Sequence, residues 1–128
     1  TGDLGGVVSI SAGAKHARAA TSGGDVYCWG DNAGGQLGVS STDLPYSLSA
    51  LRVTGISGAT RVAAGSSHSC AIIGSGASSS VKCWGSNGLG QLGNNSTTDS
   101  STPQDVKTSA TVNLSAATAI SAGANHTC

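Results

Sequence analysis

One tetrad, Gly-x-x-His, occurs three times in this chain of 128 residues and limits its fold more than any other feature. Each copy follows a short lead of apolar residues with serine or alanine, and successive histidines are 52 and 58 residues apart. Short motifs that recur in one order at nearly constant spacing indicate a repeat architecture. The tetrads supply six repeated residues: Gly13, His16, Gly65, His68, Gly123 and His126.

Two longer motifs lie between the tetrads. Cys-Trp-Gly occurs at 28–30 and 83–85, and Gly-Gln-Leu-Gly at 35–38 and 90–93, so the two copies of each motif are 55 residues apart. An asparagine closely follows each Cys-Trp-Gly motif, in a glycine-containing stretch typical of turns. The chain therefore holds two complete units and the opening of a third. The longer motifs add four repeated residues: Trp29, Trp84, Gln36 and Gln91.

The pattern within a unit predicts β-strands. Short apolar runs are bounded by Gly and Ser turns, and no segment carries an apolar stripe of helical period long enough for a stable helix. Three to four strands in about 50 residues are typical of a propeller blade. We therefore expect an all-β chain with full blades at 5–58 and 59–116 and a partial third blade at 117–128. The predicted strands are 7–12, 16–21, 26–29 and 49–53, then 60–64, 69–73, 81–84 and a weaker one within 106–114, then 118–122.

These motifs resemble the repeats of the regulator of chromosome condensation family, and the resemblance covers essentially the whole chain. It implies a β-propeller, usually of seven blades, in which each repeat provides one four-stranded blade. The paired cysteines of the second unit are similar to those of bacterial, extracellular members. The resemblance implies the fold; the exchange activity of the founding member does not follow from it.

Composition and charge exclude several classes of function. Six Lys and Arg balance six Asp, so the chain lacks the positive charge on which nucleic-acid binding depends. No apolar run is long enough to span a membrane. There is no Glu, no Gly-x-Ser-x-Gly motif and no phosphate or dinucleotide fingerprint followed by a helix. We therefore expect neither an enzyme nor a bound cofactor.

The repeated residues have structural and functional interpretations. Blade-equivalent histidines are spread around a ring rather than gathered on one point, so we expect them to bond main-chain groups rather than a metal. The two tryptophans are expected to fill the space between blades, since only four aromatic residues are present. The alternative is that they stack on sugars. The Asp31-Asn32 and Asn87 stretches carry too few oxygen ligands for a calcium loop.

The cysteines carry the clearest chemical signal. Cys70 and Cys83 lie on the two strands of one predicted hairpin, and a bond between them would close a loop worth about 3 kcal/mol. No Cys-x-x-Cys motif is present, so a disulfide is favoured over zinc, and with it an oxidising, extracellular location. Cys28 matches Cys83, but Arg18 stands at the position of Cys70; Cys128 matches Cys70 and has no following strand.

Two explanations of these unmatched cysteines stay open. The chains could assemble head to tail, with residues 118–128 docking on the Cys28 blade of the next molecule and an intermolecular Cys28–Cys128 bond. The chain could instead be a piece of a longer propeller. It opens at Thr1 without an initiator Met or signal-peptide pattern, and we expect a processed product or an excised piece.

Three classes of function follow from this sequence. The first is a non-catalytic structural or interaction module: a secreted scaffold, an adhesin segment or a fibre subunit, whose partners are its own copies or neighbouring blades. The second is a protein-binding propeller that regulates a small GTPase or binds chromatin, by family analogy. The third is a carbohydrate-binding propeller. Four Asn-x-Ser/Thr triplets would permit glycosylation in a suitable host, at Asn94, Asn95, Asn113 and Asn125.

Overall fold

A computed structural model describes residues 3–128 and shows eight β-strands with a single short 3₁₀ turn at Gly76–Ser78. The strands divide into two antiparallel sheets of four, each arranged in chain order. The first sheet contains β1 (Val7–Ala12), β2 (His16–Thr21), β3 (Val26–Asp31) and β4 (Tyr46–Arg52). The second contains β5 (Ala59–Ala64), β6 (His68–Ile73), β7 (Ser80–Gly85) and β8 (Ser100–Asp105).

Turn chemistry sets the path of each sheet. Gly24 closes the turn between β2 and β3 at φ +84°, where its N–H donates to the Thr21 carbonyl at 2.9 Å. A positive φ of this size favours glycine, because a side chain would clash with the main chain. The loop between β3 and β4 is longer and contains the Gly-Gln-Leu-Gly motif. β8 contains Pro103, which is tolerated there because β8 is the edge strand of its sheet.

The two sheets repeat the same register. His16 pairs with Gly30 across β2 and β3, and His68 pairs with Gly85 across β6 and β7. The glycine that ends Cys-Trp-Gly has φ +102° at Gly30 and +108° at Gly85, and an added Cβ would lie within 2.8 Å of main-chain atoms of the facing strand. The motif therefore ends in glycine because the facing main chain leaves no room for a side chain.

The sheets pack face to face as neighbouring blades. Ser9 and Ser11 on β1 accept hydrogen bonds from the main-chain N–H groups of Val62 and Ala64 on β5, at 3.2 and 2.9 Å. One buried core cluster lies between the sheets and includes residues of both; a second lies on the far side of the second sheet. The all-β propeller fold predicted from the repeats is confirmed, and the sheets are called blade 1 and blade 2 below.

Two strand predictions are wrong. β8 lies at Ser100–Asp105, before the predicted 106–114, and residues 118–122 form no strand. Residues 106–128 contain only isolated bridges, between Lys107 and Asn113 and between Ala122 and Thr127, besides the bridge from Ser80 to Ser115. Apolar residues continue to alternate with polar ones through this segment. A strand also needs a second strand to pair with along its length, and within residues 3–128 this segment is paired at only a few positions. The predicted unit limits, 5–58, 59–116 and 117–128, stay a prediction. No helix in the described chain is long and apolar enough to cross a membrane.

Candidate functional site

The Gly-x-x-His tetrad is a tight turn into the second strand of each unit. The glycine N–H donates to the carbonyl of the histidine three residues later, at 2.8 Å in the first copy and 3.0 Å in the other two. An added Cβ would lie 2.5, 2.0 and 2.2 Å from the Cε1 atom of that histidine in the three copies. The imidazole therefore lies directly over the glycine, which is why this pair of residues recurs: Gly13 with His16, Gly65 with His68, Gly123 with His126.

His16 and His68 contact side chains through Nε2, and the bonding of the imidazoles to main-chain groups expected from the sequence stays a prediction. Nε2 of His16 accepts from the Arg18 guanidinium, and Nε2 of His68 lies 2.9 Å from Oγ1 of Thr127. Burial and, to a smaller extent, the positive charge of Arg18 together lower the pKa of both imidazoles to about 4. Both rings are therefore neutral at pH 7. His126 is exposed, and residues 3–128 contain no group of three or more His, Cys, Asp or Glu placed to hold a metal ion.

Arg18 is buried between the blades and ties them together. Its guanidinium donates to the main-chain carbonyls of Ala63 and of His68, the latter at 2.9 Å, and its Cζ lies 6.0 Å from the Trp84 ring centroid. Burial lowers the arginine pKa to about 10, which leaves the group charged at neutral pH. Carbonyl oxygens thus compensate the buried charge in place of a carboxylate.

The cysteines differ between the blades. Cys70 and Cys83 are paired in register and form a disulfide. In blade 1 the same register pairs Arg18 with Cys28, whose thiol is fully buried and has its pKa raised to about 11 by burial. An intermolecular Cys28–Cys128 bond is therefore disfavoured: Cys128 is exposed, but Cys28 cannot be reached unless blade 1 opens.

The docking of residues 118–128 on another molecule stays a prediction. This segment lies against blade 2 of its own chain, since the N–H of Ser66 donates to the Ala124 carbonyl at 3.1 Å. The Ser79 hydroxyl donates to the Ala117 carbonyl at 2.8 Å.

Trp84 fills a pocket on blade 1. The side chain is fully buried in one core cluster with Val26, Leu37 and Val53. Its indole N–H donates to the main-chain carbonyl of Gln36 at 3.0 Å, and the hydroxyl of Ser69 donates to the same oxygen at 2.6 Å. Trp84 therefore fills the space between the blades, as predicted from the sequence. We call the cavity that it fills the Trp84 pocket.

The asparagine and glutamine of each unit hold its long loop. The Oδ1 of Asn32 accepts from the N–H of Leu37 at 2.9 Å, and its Nδ2 donates to the carbonyls of Val39 and Leu44. Asn87 binds its own loop in the same way, with the N–H of Leu92 at 3.0 Å. The side-chain oxygens of Gln36 and Gln91 each accept from an N–H two residues earlier. These side-chain amides position the main chain of the long loop in each unit.

Trp29 and Trp84 occupy equivalent positions but different surroundings. Trp29 is half-buried at the open face of blade 1, whereas Trp84 is fully buried between the blades. Because Trp84 exposes no surface, it cannot stack on a sugar, and the carbohydrate-binding alternative loses one of its two tryptophans. The same open side of the molecule exposes Ile10, with 68% of its surface accessible.

Blade 2 carries a cavity where blade 1 carries the Trp84 pocket. The cavity has a volume of about 230 Å³ and is lined by Val81, Cys83 and Leu92, which lie 55 residues after Val26, Cys28 and Leu37. Residues 89–93, Val106 and several residues within 114–128 also line it, and Thr127 donates from Oγ1 to the Gln91 carbonyl at 3.0 Å. We call this cavity the C-terminal pocket.

The fold and these interfaces define a class: a β-propeller segment built of four-stranded repeats that bury a tryptophan between neighbours. Two models of the regulator of chromosome condensation (RCC1) repeat match the chain, one over residues 23–72 and 80–128, the other over 7–36 and 59–91. The chain belongs to the RCC1 repeat family.

Its relatives are much longer proteins. It is 37% identical over 123 residues to human HERC3, described as a probable E3 ubiquitin-protein ligase, and 37% identical over 125 residues to the ultraviolet-B receptor UVR8 of Arabidopsis thaliana. Both matches cover 94% of this chain, but only 11% of HERC3 and 26% of UVR8.

Solved structures show the same fold. Prp20p of Saccharomyces cerevisiae superposes with a TM-score of 0.72 at 24% identity, covering 95% of this chain and 30% of that one. Human WBSCR16 superposes with a TM-score of 0.77 at 21% identity, covering 98% and 31%.

Sequence reasoning missed the residues that link one unit to the next. In the sequence Arg18 is distinguished only as the residue in place of a cysteine, and Ser69 and Thr127 lie outside the repeated motifs. The signal was present, because Ser69 and Thr127 each follow the tetrad histidine directly and both carry a hydroxyl. Ser69 donates to the main-chain carbonyl of Gln36 and Thr127 to that of Gln91, and no sequence pattern marks a main-chain acceptor.

Proposed function

We propose that this chain is a non-catalytic, protein-binding segment of an RCC1-type propeller. The observation that carries the proposal is that the repeated polar side chains and the exposed apolar side chains have different roles. The repeated polar residues are engaged in positioning the main chain, as the hydrogen bonds of the asparagines and glutamines show. Several large apolar side chains are exposed instead, which favours contact with another protein.

The outer strand of blade 1 is the best-supported contact surface. Tyr46 and Leu48 alternate along β4, so their side chains lie on the same face, with 59% and 93% of their surfaces accessible. β4 is also an edge strand of its sheet. An exposed edge with apolar side chains is a surface to which another protein can bind.

The relatives support this function better than the secreted scaffold, adhesin or fibre subunit first expected from the sequence. The structure of Prp20p was described together with its binding properties to Gsp1p and histones, and another solved structure shows Kap60 bound to that protein. The chain spans less than a third of these proteins, so their partners are hypotheses for it.

Charge makes a histone the weaker of these candidates. Histones are basic, and the six aspartates of the chain are balanced by six lysines and arginines, so the chain has no net negative charge to attract them. Asp25 and Asp105 are also paired directly with Arg52 and Lys82.

The test measures binding of the chain to purified proteins by calorimetry, beginning with a Gsp1p-type GTPase and with proteins identified by cross-linking in the source organism. The double variant Tyr46→Ser/Leu48→Ser should weaken a genuine complex about tenfold or more, because it removes the apolar contact area. Val112→Ser is the matched control, since Val112 is exposed elsewhere at 54%. If no purified protein binds, or if both variants bind as the parent does, the proposal is wrong.

We also propose that the chain folds in an oxidising compartment. The Cys70–Cys83 disulfide supports this, because disulfides persist in such compartments and are rare in the cytosol. Protein isolated from its source with rapid alkylation, then unfolded, should have two free thiols, Cys28 and Cys128. Four alkylated thiols would contradict the proposal.

A further inference from the structure

A groove crosses all three units at the end of the blades where β5 begins and β6 ends. It has a volume of about 400 Å³, which is within the range typical of ligand sites. β1 and the third unit supply its two sides, and β5 and the turn between β6 and β7 lie between them. We call it the Arg61 groove; its polar lining residues are Ser9, Thr60, Arg61, Ser75 and Thr118.

The turn between β6 and β7 is longer than its counterpart in blade 1. Cys70 and Cys83 are cross-strand partners 13 residues apart in sequence, whereas Arg18 and Cys28, in the equivalent register, are 10 apart. The turn of blade 2 therefore has three additional residues, and it contains the 3₁₀ turn at Gly76–Ser78. The blade does not require this addition, since blade 1 closes without it.

Hydrogen bonds hold the lengthened turn against both neighbouring segments. The hydroxyl of Thr60 on β5 donates to the Gly74 carbonyl at 3.0 Å. At the other end of the turn, the hydroxyl of Ser79 donates to the Ala117 carbonyl at 2.8 Å. The wall that carries Ser75 is therefore held in place before a ligand binds, which lowers the entropic cost of binding.

Arg61 also departs from the repeat. It lies four residues before the tetrad glycine, where unit 1 has Ser9 and unit 3 has Ala119. Arg61 is exposed, and it is the only charged residue that lines the groove in the described chain. Neither of the ion pairs within residues 3–128 includes it. Its guanidinium is therefore available to an anion from outside the chain.

Hydroxyls are the other polar side-chain groups of the groove. The Ser9 hydroxyl accepts from the N–H of Val62 at 3.2 Å and donates to no group within residues 3–128. The hydroxyls of Ser75 and Thr118 have no hydrogen-bond partner in the described part of the chain. The groove thus offers one cation and three hydroxyl donors, and this combination is complementary to an anion.

We propose that the Arg61 groove binds an acidic side chain, Asp or Glu, in an extended segment of a partner protein. The Arg61 guanidinium donates two N–H groups to the carboxylate oxygens, and the hydroxyls of Ser9 and Ser75 donate to the remaining lone pairs. Arginine suits this role because its planar guanidinium matches the geometry of a carboxylate. The inference rests on the proposed protein-binding function and adds a contact surface separate from Tyr46 and Leu48.

Charge and shape favour a carboxylate on a polypeptide over a phosphate group. One guanidinium balances the single negative charge of a carboxylate, whereas a phosphate group carries about two negative charges at pH 7. Val8 and Ala117 line the groove with apolar surface, against which the methylene groups of a bound segment can pack. A protein segment supplies both the charge and this apolar contact.

Binding can be measured by calorimetry with the peptide acetyl-Ala-Glu-Ala-Glu-Ala-amide, and ¹H–¹⁵N chemical shifts of the protein can locate the site. We expect saturable binding, with the largest shift changes at the groove. The same peptide with glutamine for both glutamates should bind about tenfold or more weakly. Arg61→Gln should weaken binding of the glutamate peptide equally. Lys107→Gln is the matched control, because it removes an exposed positive charge outside the groove.

Two further variants separate binding from folding. Because Arg61 is exposed, Arg61→Gln should keep the urea midpoint of the parent. Arg61→Lys keeps the charge but loses the paired donors, so it should restore only part of the affinity. Ser75→Ala should weaken binding about threefold, since it removes one neutral donor.

Each outcome decides the inference. Equal affinities for the glutamate and glutamine peptides, or for the parent and Arg61→Gln, would overturn it. So would shift changes away from the groove, or binding of inorganic phosphate through Arg61 without binding of the glutamate peptide. Tyr46→Ser/Leu48→Ser should bind the peptide as the parent does. If the peptide fails while a purified protein still binds through Tyr46 and Leu48, the proposed function stands and only this inference falls.

Discussion

Replacing Arg18 by cysteine should create a second disulfide in blade 1. Arg18 faces Cys28 in the register in which Cys70 faces Cys83, and the latter pair is bonded. Both positions lie on neighbouring antiparallel strands joined by a short turn. The structure therefore predicts that Arg18→Cys oxidises to a bond with Cys28 without a change of fold.

The size of the effect follows from the loop that the bond would close. Eleven residues from 18 to 28 give a loop-closure term of about 3 kcal/mol in the chain-entropy model. Arg18→Cys also loses the hydrogen bonds of the guanidinium to the carbonyls of Ala63 and His68. Arg18→Ser loses them equally and cannot form the bond. The difference between the two variants isolates the disulfide.

Urea unfolding of both variants, with and without reductant, measures that difference. The oxidised cysteine variant should exceed the serine variant by about 3 kcal/mol, which for a domain of this size raises Tm by roughly 10 °C. Under reductant the two should coincide, because the introduced bond to Cys28, which alone distinguishes them, is then reduced, and the Cys70–Cys83 bond is lost from both. Peptide mapping should join the introduced cysteine to Cys28. A folded, oxidised variant in which Cys28 remains alkylatable after unfolding would refute the register argument.

Three further predictions test the packing. Trp84→Ala should lower the free energy of unfolding by about 3–5 kcal/mol, whereas Trp29→Ala should cost under about 1.5 kcal/mol, and equal losses would contradict the assigned burial. Gly85→Ala should lower the free energy of unfolding by about 2 kcal/mol or more, because Gly85 has a positive φ and an added Cβ would lie 2.6 Å from a main-chain oxygen. Gly88→Ala is the control, because Gly88 has open space around it. Similar urea midpoints for the two variants would contradict this prediction. The free energy of unfolding should fall as pH decreases from about 6.5 to about 4. In this range the unfolded chain binds protons at His16 and His68, whereas burial lowers the pKa of both residues in the folded chain. A urea midpoint that stays constant across this range would contradict the prediction.

Much of the fold could be predicted from the repeats. The first three strands of units 1 and 2 can be located to within two residues, since short alternating runs between glycine turns mark them clearly. The fourth strand was harder. In unit 2 it contains Pro103 and mostly polar residues, so nothing in its composition distinguishes it from a loop. It is a strand because β7 offers it a pairing edge.

The sequence by itself determined the repeating unit, the glycines that it requires and the cysteines that can face each other. These features depend on local sterics and on strand register, both of which act over a few residues. Only the tertiary structure decided which of two identical Cys-Trp-Gly motifs is buried, how Arg18 is compensated and where a pocket is left. Those outcomes depend on the sheet that lies alongside, and the same motif has a different environment according to the neighbour it meets.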